Sequence, residues 1–283
     1  MLGHAQEQLS LEVNGTTLHY VQQGEGEPVV FVHGAISDLR TWGGQVPALV
    51  AAGFQTIAYT QRYYGTEPWQ DAGELFSAAT QADDLAAFVK ALDLGPVHLV
   101  GWSNGGEISM LAALEHPELF RSMAHYEPVL EIVQTTEEGK AMWAEVGTEV
   151  GAAFGPAFET VSAGDLDLGA EQFMDAVWER PGAFDRLAPE VQQVVLDQGR
   201  TLMPMFSSPS PTVTCEALVA LDIPTLVMVG EETGLRFFTF MVEEITRCMP
   251  SAQKVVIADT THGGPVQAAD AVNAEIVKFL NAN

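Results

Sequence analysis

The stretch Leu99-Val100-Gly101-Trp102-Ser103-Asn104-Gly105-Gly106 contains a G-x-S-x-G motif between an apolar run and a segment with helical periodicity. Val97–Val100 predicts a buried strand, and the residues from about Asn104 to Glu115 predict a helix. A serine at a sharp strand-to-helix turn projects its hydroxyl from the sheet edge, and small residues flank it because the turn has no room for a β-carbon. The N-terminus of the following helix directs backbone amides toward a developing oxyanion. The motif therefore predicts a nucleophile elbow with Ser103 as the nucleophile.

Around this motif the chain alternates short β-branched runs with amphipathic segments, which is typical of a mostly parallel sheet with helices on both faces. The predicted strands are Leu9–Val13, Thr17–Gln22, Pro28–Val32, Gln55–Tyr59, Val97–Val100, Ser122–Tyr126, Ile223–Val229 and Lys254–Ile257. The predicted helices are Trp42–Ala52, Ala78–Leu92, Asn104–Glu115, Leu235–Met249 and Ala269–Leu280.

The middle of the chain has a different character. From about Val129 to Thr214 the sequence shows helical periodicity, with glycine, proline and acidic clusters between the periodic segments and no convincing strand. We therefore predict a core domain in two parts, residues 1–128 and 215–283, with a helical cap inserted at residues 129–214.

The elbow and the strand order make the chain resemble the α/β-hydrolase family over nearly its whole length. The turn His33-Gly34-Ala35 after the third strand is similar to the family's oxyanion loop. The resemblance implies an eight-stranded, mostly parallel sheet flanked by helices, with a helical cap. It also implies that the amides of Ala35 and Asn104, assisted by Gly34, form an oxyanion hole, in which each donor contributes about 3–4 kcal/mol in acyl transfer.

The same resemblance points to His262 as the general base. The family order along the chain is nucleophile, acid, histidine. Of the seven histidines, only His262, in Asp259-Thr260-Thr261-His262-Gly263-Gly264-Pro265, follows the final predicted strand.

The acid departs from the common family pattern. Most relatives place an aspartate shortly after the seventh strand, where this chain has Thr233. Glu231 and Glu232 next to it are possible substitutes, although glutamates there are ordinarily a solvated helix start. We prefer Glu127, in His125-Tyr126-Glu127-Pro128 after the sixth strand. Some relatives, among them lactonases that open zearalenone, carry their acid there and combine it with a threonine-containing turn and paired phenylalanines, here Phe237-Phe238.

These residues predict a serine hydrolase that cleaves a carboxylic ester or lactone through Ser103, His262 and Glu127. Large apolar residues of the cap predict an apolar substrate, with Trp102, Trp178 and Phe206 as candidate contacts. No metal or organic cofactor is implied. Two other classes stay open: a cofactor-free oxygenase or lyase of the same fold that uses the His–acid pair, and a hydrolase-derived ligand receptor.

Composition narrows the partners. The chain has 283 residues, with 12 Lys and Arg against 38 Asp and Glu, a net charge of −26. This charge argues against nucleic acid and against anionic membranes as partners. We find no signal peptide in Met1–Gln8 and no apolar run of membrane-spanning length, so we expect a cytoplasmic protein, a monomer or homodimer. The two cysteines, Cys215 and Cys248, are expected to be free, buried thiols.

Overall fold

A computed structural model describes residues 7–283 of the chain. The expectation of no signal peptide in Met1–Gln8 therefore falls mostly outside the described residues. Eight strands form one sheet in the order β1-β2-β4-β3-β5-β6-β7-β8. The strands are β1 Leu9–Val13, β2 Thr16–Gln23, β3 Pro28–Val32, β4 Gln55–Tyr59, β5 Val97–Trp102, β6 Phe120–Tyr126, β7 Thr225–Gly230 and β8 Gln253–Ile257.

The first two strands are antiparallel to their neighbours, and all pairs from β4 to β8 are parallel, which confirms the predicted eight-stranded, mostly parallel sheet. Strands β5 and β7 are buried along their whole length, as near-continuous apolar runs predict. Their carboxyl ends, together with those of β3 and β6, lie at one edge of the sheet. Loops that leave this edge therefore meet, which brings together residues far apart in the sequence.

Helices cover both faces of the sheet. They are α1 Gln45–Ala51, α2 Ala78–Leu92, α3 Asn104–Glu115, α4 Glu137–Ser162, α5 Leu166–Val177, α6 Pro189–Asp197, α7 Leu202–Ser207, α8 Cys215–Val219, α9 Arg236–Cys248, α10 Gly264–Gln267 and α11 Ala269–Leu280. One apolar cluster joins the sheet to α2, α3 and α9, and a second joins the opposite face to α1 and α11. No helix in residues 7–283 is long and apolar enough to cross a membrane.

The predicted single helix Trp42–Ala52 is wrong in detail. A 3₁₀ helix, Leu39–Gly43, precedes α1, and the two are separated at Gly44. Asp38 caps the 3₁₀ helix by accepting a hydrogen bond from the backbone N–H of Arg40 at 2.9 Å. Trp42 is buried with a non-helical ψ of 15°, so tertiary packing of its indole ring, and not helical periodicity, determines this segment.

Helices α4 to α7 lie between β6 and β7 in the sequence, and we call them the cap. They share an apolar cluster that includes Phe154, Phe173 and Trp178. The same cluster takes in Ile36 and Phe238 from the sheet-bearing part of the chain. The cap is thus packed onto the edge of the sheet where the candidate site residues lie.

The expectation of free thiols is wrong: Cys215 and Cys248 form a disulfide. Their Cα atoms are 4.9 Å apart, although 33 residues separate them in the sequence. Cys215 begins α8 and Cys248 ends α9. The pairing depends on how these two helices pack against each other, which neither the number nor the spacing of the cysteines reveals.

Candidate active site

Ser103 occupies a strained turn between β5 and α3. Its φ of 57° and ψ of −123° lie where non-glycine residues are rare. The glycines of the motif have separate reasons. A β-carbon at Gly105 would overlap the carbonyl oxygen of Val32, and one at Gly101 would lie 2.7 Å from Nδ1 of His125. The predicted nucleophile therefore stands on a turn that only small neighbours permit.

The turn after β3 lies directly against Ser103. A β-carbon at Gly34 would lie 3.0 Å from the carbonyl oxygen of Trp102 and 3.2 Å from Cβ of Ser103. Within residues 7–283, the backbone N–H groups of Ala35 and Asn104 donate no hydrogen bond. Two unused amides beside a serine hydroxyl form an arrangement suited to binding an oxyanion.

His33 keeps this turn in place. Its Nδ1 donates to the carbonyl oxygen of Gly34 at 2.9 Å, and its Nε2 accepts from the backbone N–H of Gln61 at 3.1 Å, a pattern that assigns the neutral Nδ1–H tautomer. Burial lowers the pKa of His33 to about 4, so the ring stays neutral near pH 7. His33 is a structural residue of the loop.

Glu127 and His262 form the central contact of the site. Nδ1 of His262 donates to Oε2 of Glu127 at 2.7 Å. Glu127 is fully buried, and its φ of 41° places it in the left-handed region at the end of β6. This bond occupies Nδ1 of the imidazole, so Nε2 is the nitrogen left to accept a proton.

Ser103 and His262 both line the cavity described below. Within the described residues, no hydrogen bond joins Oγ of Ser103 to His262. Contacts of this kind are often long before substrate binds and shorten in the reactive complex.

Sequence reasoning missed the part that Thr233 plays. Its hydroxyl donates to Oε1 of Glu127 at 2.6 Å, and the backbone N–H of Gly230 donates to the same oxygen at 2.8 Å. Thr233 stands where most relatives are expected to have their acid, and that expectation concealed its use as a donor. The resemblance combines an acid after the sixth strand with a threonine-containing turn, but it does not predict this hydrogen bond, and 106 residues separate Thr233 from Glu127.

The alternative acids Glu231 and Glu232 lie elsewhere. Oε2 of Glu231 accepts from the backbone N–H of Asp259 at 3.3 Å. Glu232 forms an exposed ion pair with Arg180 of the segment after α5, at 2.7 Å. Both side chains are exposed, whereas a carboxylate that orients a buried imidazole must share its burial.

Aromatic rings enclose His262. Phe238 stacks on its imidazole, and the indole Nε1 of Trp102 donates to the carbonyl oxygen of His262 at 2.9 Å. Trp178, at the C-terminal end of α5, lies against Gly263, the residue after His262. A β-carbon at Gly263 would be 2.7 Å from the indole ring. Glu179, the residue after Trp178, accepts a hydrogen bond from the backbone N–H of Gly234 at 3.0 Å.

Residues 178–180, which we call the α5 corner, therefore contact both loops of the site. Trp178 touches the loop of His262, while Glu179 and Arg180 touch the loop of Thr233. Glu179 has a left-handed φ of 56°, and its burial raises the pKa of its carboxyl group. The cap is in this way joined to the residues that surround Glu127 and His262.

Ser103 opens into a cavity of about 610 Å³ between the sheet edge and the cap. The predicted contacts Trp102, Trp178 and Phe206 all line it. Apart from His262, no Lys, Arg, His, Asp or Glu of the described chain is among its lining residues. The wall is largely apolar and includes Ile36, Val150, Phe154, Phe158, Phe173, Met174, Met205, Phe237 and Phe238.

One carboxyl group near the cavity is unusual. Glu107, one turn into α3, is 1% exposed, and its Oε2 accepts from Nδ2 of Asn104 at 3.3 Å. Its Oε1 has no hydrogen-bond partner in residues 7–283. Burial, and less strongly the charge of Glu131, raise the pKa of Glu107 to about 7.

The described part of the chain contains no cluster of three or more His, Cys, Asp or Glu side chains that could hold a metal ion. The buried rings of His98 and His125 take part in no such cluster. Oγ of Ser122 contacts Nδ1 of His98 at 2.7 Å, and burial lowers the pKa of His125 to about 3.

Comparison with known proteins agrees with this fold. The model of the family described as alpha/beta hydrolase fold matches residues 27–268. The chain therefore belongs to the α/β-hydrolase fold family, as the elbow and the alternation of strands and helices along the chain predicted.

Two relatives and one solved structure illustrate the range of the family. The chain is 38% identical over 106 residues to BpoC of Mycobacterium tuberculosis, but this match spans only 37% of this chain and 39% of that relative. A non-heme haloperoxidase of Rhodococcus erythropolis is 27% identical, with 95% of this chain and 97% of the relative covered. The crystal structure of the enol-lactonase from Burkholderia xenovorans LB400 superposes with a TM-score of 0.76 at 19% identity and covers 96% of this chain and all of that one.

Proposed function

We propose that this protein is a serine hydrolase that cleaves carboxylic esters or lactones of neutral, apolar compounds. The observation that carries the proposal is the 2.7 Å hydrogen bond from Nδ1 of His262 to the buried carboxylate of Glu127. His262 lines the same cavity as Ser103. An imidazole oriented by a carboxylate beside a serine on a nucleophile elbow is the arrangement that acyl transfer requires.

The chemistry follows from the placement of the groups. Nε2 of His262 takes the proton of the Ser103 hydroxyl as its oxygen attacks the ester carbonyl. The amides of Ala35 and Asn104 donate to the negative oxygen of the tetrahedral intermediate. Collapse of the intermediate breaks the carbon–oxygen bond of the ester, and His262 protonates the leaving alkoxide. Water, deprotonated by His262, then hydrolyses the acyl-enzyme and regenerates Ser103.

The carboxylate of Glu127 stabilises the imidazolium that forms at each step. In a lactone the alcohol released in the first step remains tethered to the acyl group, so only one product leaves. The cap wall favours ring systems or chains of mainly apolar surface. Among the described residues, no Lys or Arg lines the cavity. A carboxylate or phosphate on the substrate would therefore be buried without a cationic partner. We accordingly propose uncharged substrates.

Labelling with a fluorophosphonate, mapped by peptide mass spectrometry, tests the nucleophile. We expect the wild type to be labelled on Ser103 and Ser103→Ala to be unlabelled. Ser37→Ala is the matched control, because Ser37 lines the same cavity but does not stand on the elbow. Well-folded wild-type protein that takes up no label would exclude this function and favour a cofactor-free reaction or ligand sensing.

A panel of esters and lactones tests the substrate class. We expect turnover of neutral aryl and aliphatic esters and of neutral macrocyclic or aromatic lactones. Matched compounds that carry a free carboxylate are expected to react at least tenfold more slowly. Preference for the carboxylate-bearing member of each pair would contradict the proposed class while leaving the nucleophile intact.

A further inference from the structure

Among residues 7–283, Thr233 is the one side chain besides His262 that forms a hydrogen bond with the carboxylate of Glu127. Oε1 accepts from the hydroxyl of Thr233 at 2.6 Å and from the backbone N–H of Gly230 at 2.8 Å, while Oε2 faces His262. Glu127 is fully buried, so bulk solvent does not reach its carboxylate. In the described part of the chain, three donors contact the two oxygens of this carboxylate.

The two donors on Oε1 determine how the carboxylate is oriented. A single hydrogen bond to His262 would leave the carboxylate free to rotate about its last carbon–carbon bond. Donors on the second oxygen fix the plane of the group, and charge-assisted bonds of this kind are roughly twice as strong as neutral ones. The donor of Gly230 is a backbone amide at the end of β7. The donor of Thr233 belongs to a side chain, so it is the one of the two that a substitution can remove.

We infer that Thr233 is a positioning residue that fixes the carboxylate plane of Glu127 and, through it, the imidazole of His262. This role rests on the proposed function, in which Glu127 orients the base. Most relatives are expected to have their acid at position 233. Here Thr233 supplies a hydrogen-bond donor at that position, because the carboxylate that contacts the imidazole comes from Glu127 at the end of β6.

The loop around Thr233 is built to hold this geometry. The backbone N–H of Glu232 donates to the carbonyl oxygen of Thr260 at 2.8 Å, two residues before His262. On the other side, Glu179 of the α5 corner accepts from the N–H of Gly234 at 3.0 Å. Thr233 therefore lies between two anchored neighbours, and its hydroxyl can approach Glu127 with little loss of backbone freedom.

Thr233→Val removes the hydroxyl and nearly preserves the volume of the side chain, Thr233→Ser restores the hydroxyl, and Thr239→Val is the matched control. Thr239 lies on α9, and within residues 7–283 the one hydrogen bond of its hydroxyl is to the carbonyl oxygen of Arg236 at 3.3 Å. We expect Thr233→Val to lower kcat about tenfold to hundredfold, the range for one hydrogen bond to a charged group, with KM within about twofold. Thr233→Ser and Thr239→Val should stay within about threefold of the wild type.

The proton NMR signal of Nδ1–H of His262 provides a readout that needs no turnover. We expect the downfield signal of the wild type to move upfield in Thr233→Val and to stay in place in Thr233→Ser. A Thr233→Val protein with unchanged kcat and an unchanged signal would overturn the inference. If Thr233→Val does not fold, Thr233→Ala provides the same comparison.

The two proposals fail in different ways. A wild type that hydrolyses no ester and takes up no fluorophosphonate refutes the hydrolase, while the NMR signal still decides the role of Thr233. A wild type that hydrolyses esters, with an insensitive Thr233→Val variant, refutes the positioning role alone.

Discussion

The phenyl ring of Phe238 lies almost parallel to the imidazole of His262, with ring centroids 3.7 Å apart and an angle of 15° between the planes. Phe238 is buried at the start of α9, just after the loop that carries Thr233. The face of an aromatic ring is electron-rich and attracts a cation placed over it. His262 is thus held at its edge by Glu127 and on one face by Phe238.

Phe238→Leu is expected to lower kcat/KM for a neutral ester by about 3- to 30-fold. The proposed mechanism forms an imidazolium in the transition state, and cation–π contacts contribute about 0.5–2 kcal/mol. Steady-state kinetics check this, with Phe240→Leu as the control because Phe240 stacks on Trp143, 5.9 Å away on the cap. Equal losses in both variants would show that the effect is one of packing alone.

Glu127→Gln is expected to lower kcat by about 10³–10⁴-fold, since an amide cannot stabilise the imidazolium and can favour the wrong tautomer. Glu232→Gln should stay within a few-fold of the wild type, because the side chain of Glu232 forms an exposed ion pair with Arg180. The same ester assay measures both variants. A larger loss at Glu232 would move the acid to the loop after β7.

We expect the stability of the protein to depend on pH through Glu107. Its pKa of about 7 in the folded state lies above the unfolded value of 4.5, so the folded protein binds more protons and loses stability as pH rises from about 4.5 to 7. Glu107→Gln removes this loss. We expect the variant to gain on the order of 1–3 kcal/mol of unfolding free energy at pH 8 and almost none at pH 4.

Urea unfolding at the two pH values measures this difference. Glu115→Gln, an exposed change on the same helix, is the control and should show no such dependence. A Glu107→Gln variant that gains equally at both pH values would contradict the titration as its cause.

The disulfide between Cys215 and Cys248 predicts that denatured, unreduced protein contains no free thiol. Loss of the bond in Cys215→Ser with Cys248→Ser is expected to lower the unfolding free energy by about 3–4 kcal/mol, from the loop that the bond closes. Thiol titration and urea unfolding check the two statements. Two titratable thiols in protein that has not met a reductant would contradict the disulfide and support free cysteines. Free cysteines are also the state that a reducing cytoplasm favours.

The sequence predicted the parts of this molecule that local patterns encode. Buried strands such as β5 and β7 appear as apolar runs, and the steric demands of the elbow appear as glycines around Ser103. Local patterns cannot predict the pairing of Glu127 with His262, because 135 residues separate them. The family resemblance is what predicts it. The hydrogen bond from Thr233 to Glu127 and the disulfide are not predicted, because both depend on loops and helices that only the assembled sheet brings together.

We expect the contacts of the α5 corner to limit which parts of the cap can change without loss of turnover. In a fold whose insertions vary freely, a new substrate preference is reached by exchanging the inserted helices as a unit. Here Trp178 and Glu179 contact the loops of His262 and Thr233, so an exchanged insertion would remove support from the reacting groups along with the old pocket wall. Chimeras that retain residues 178–180 should therefore keep their turnover, and natural variation should concentrate on the cap residues farther from this corner.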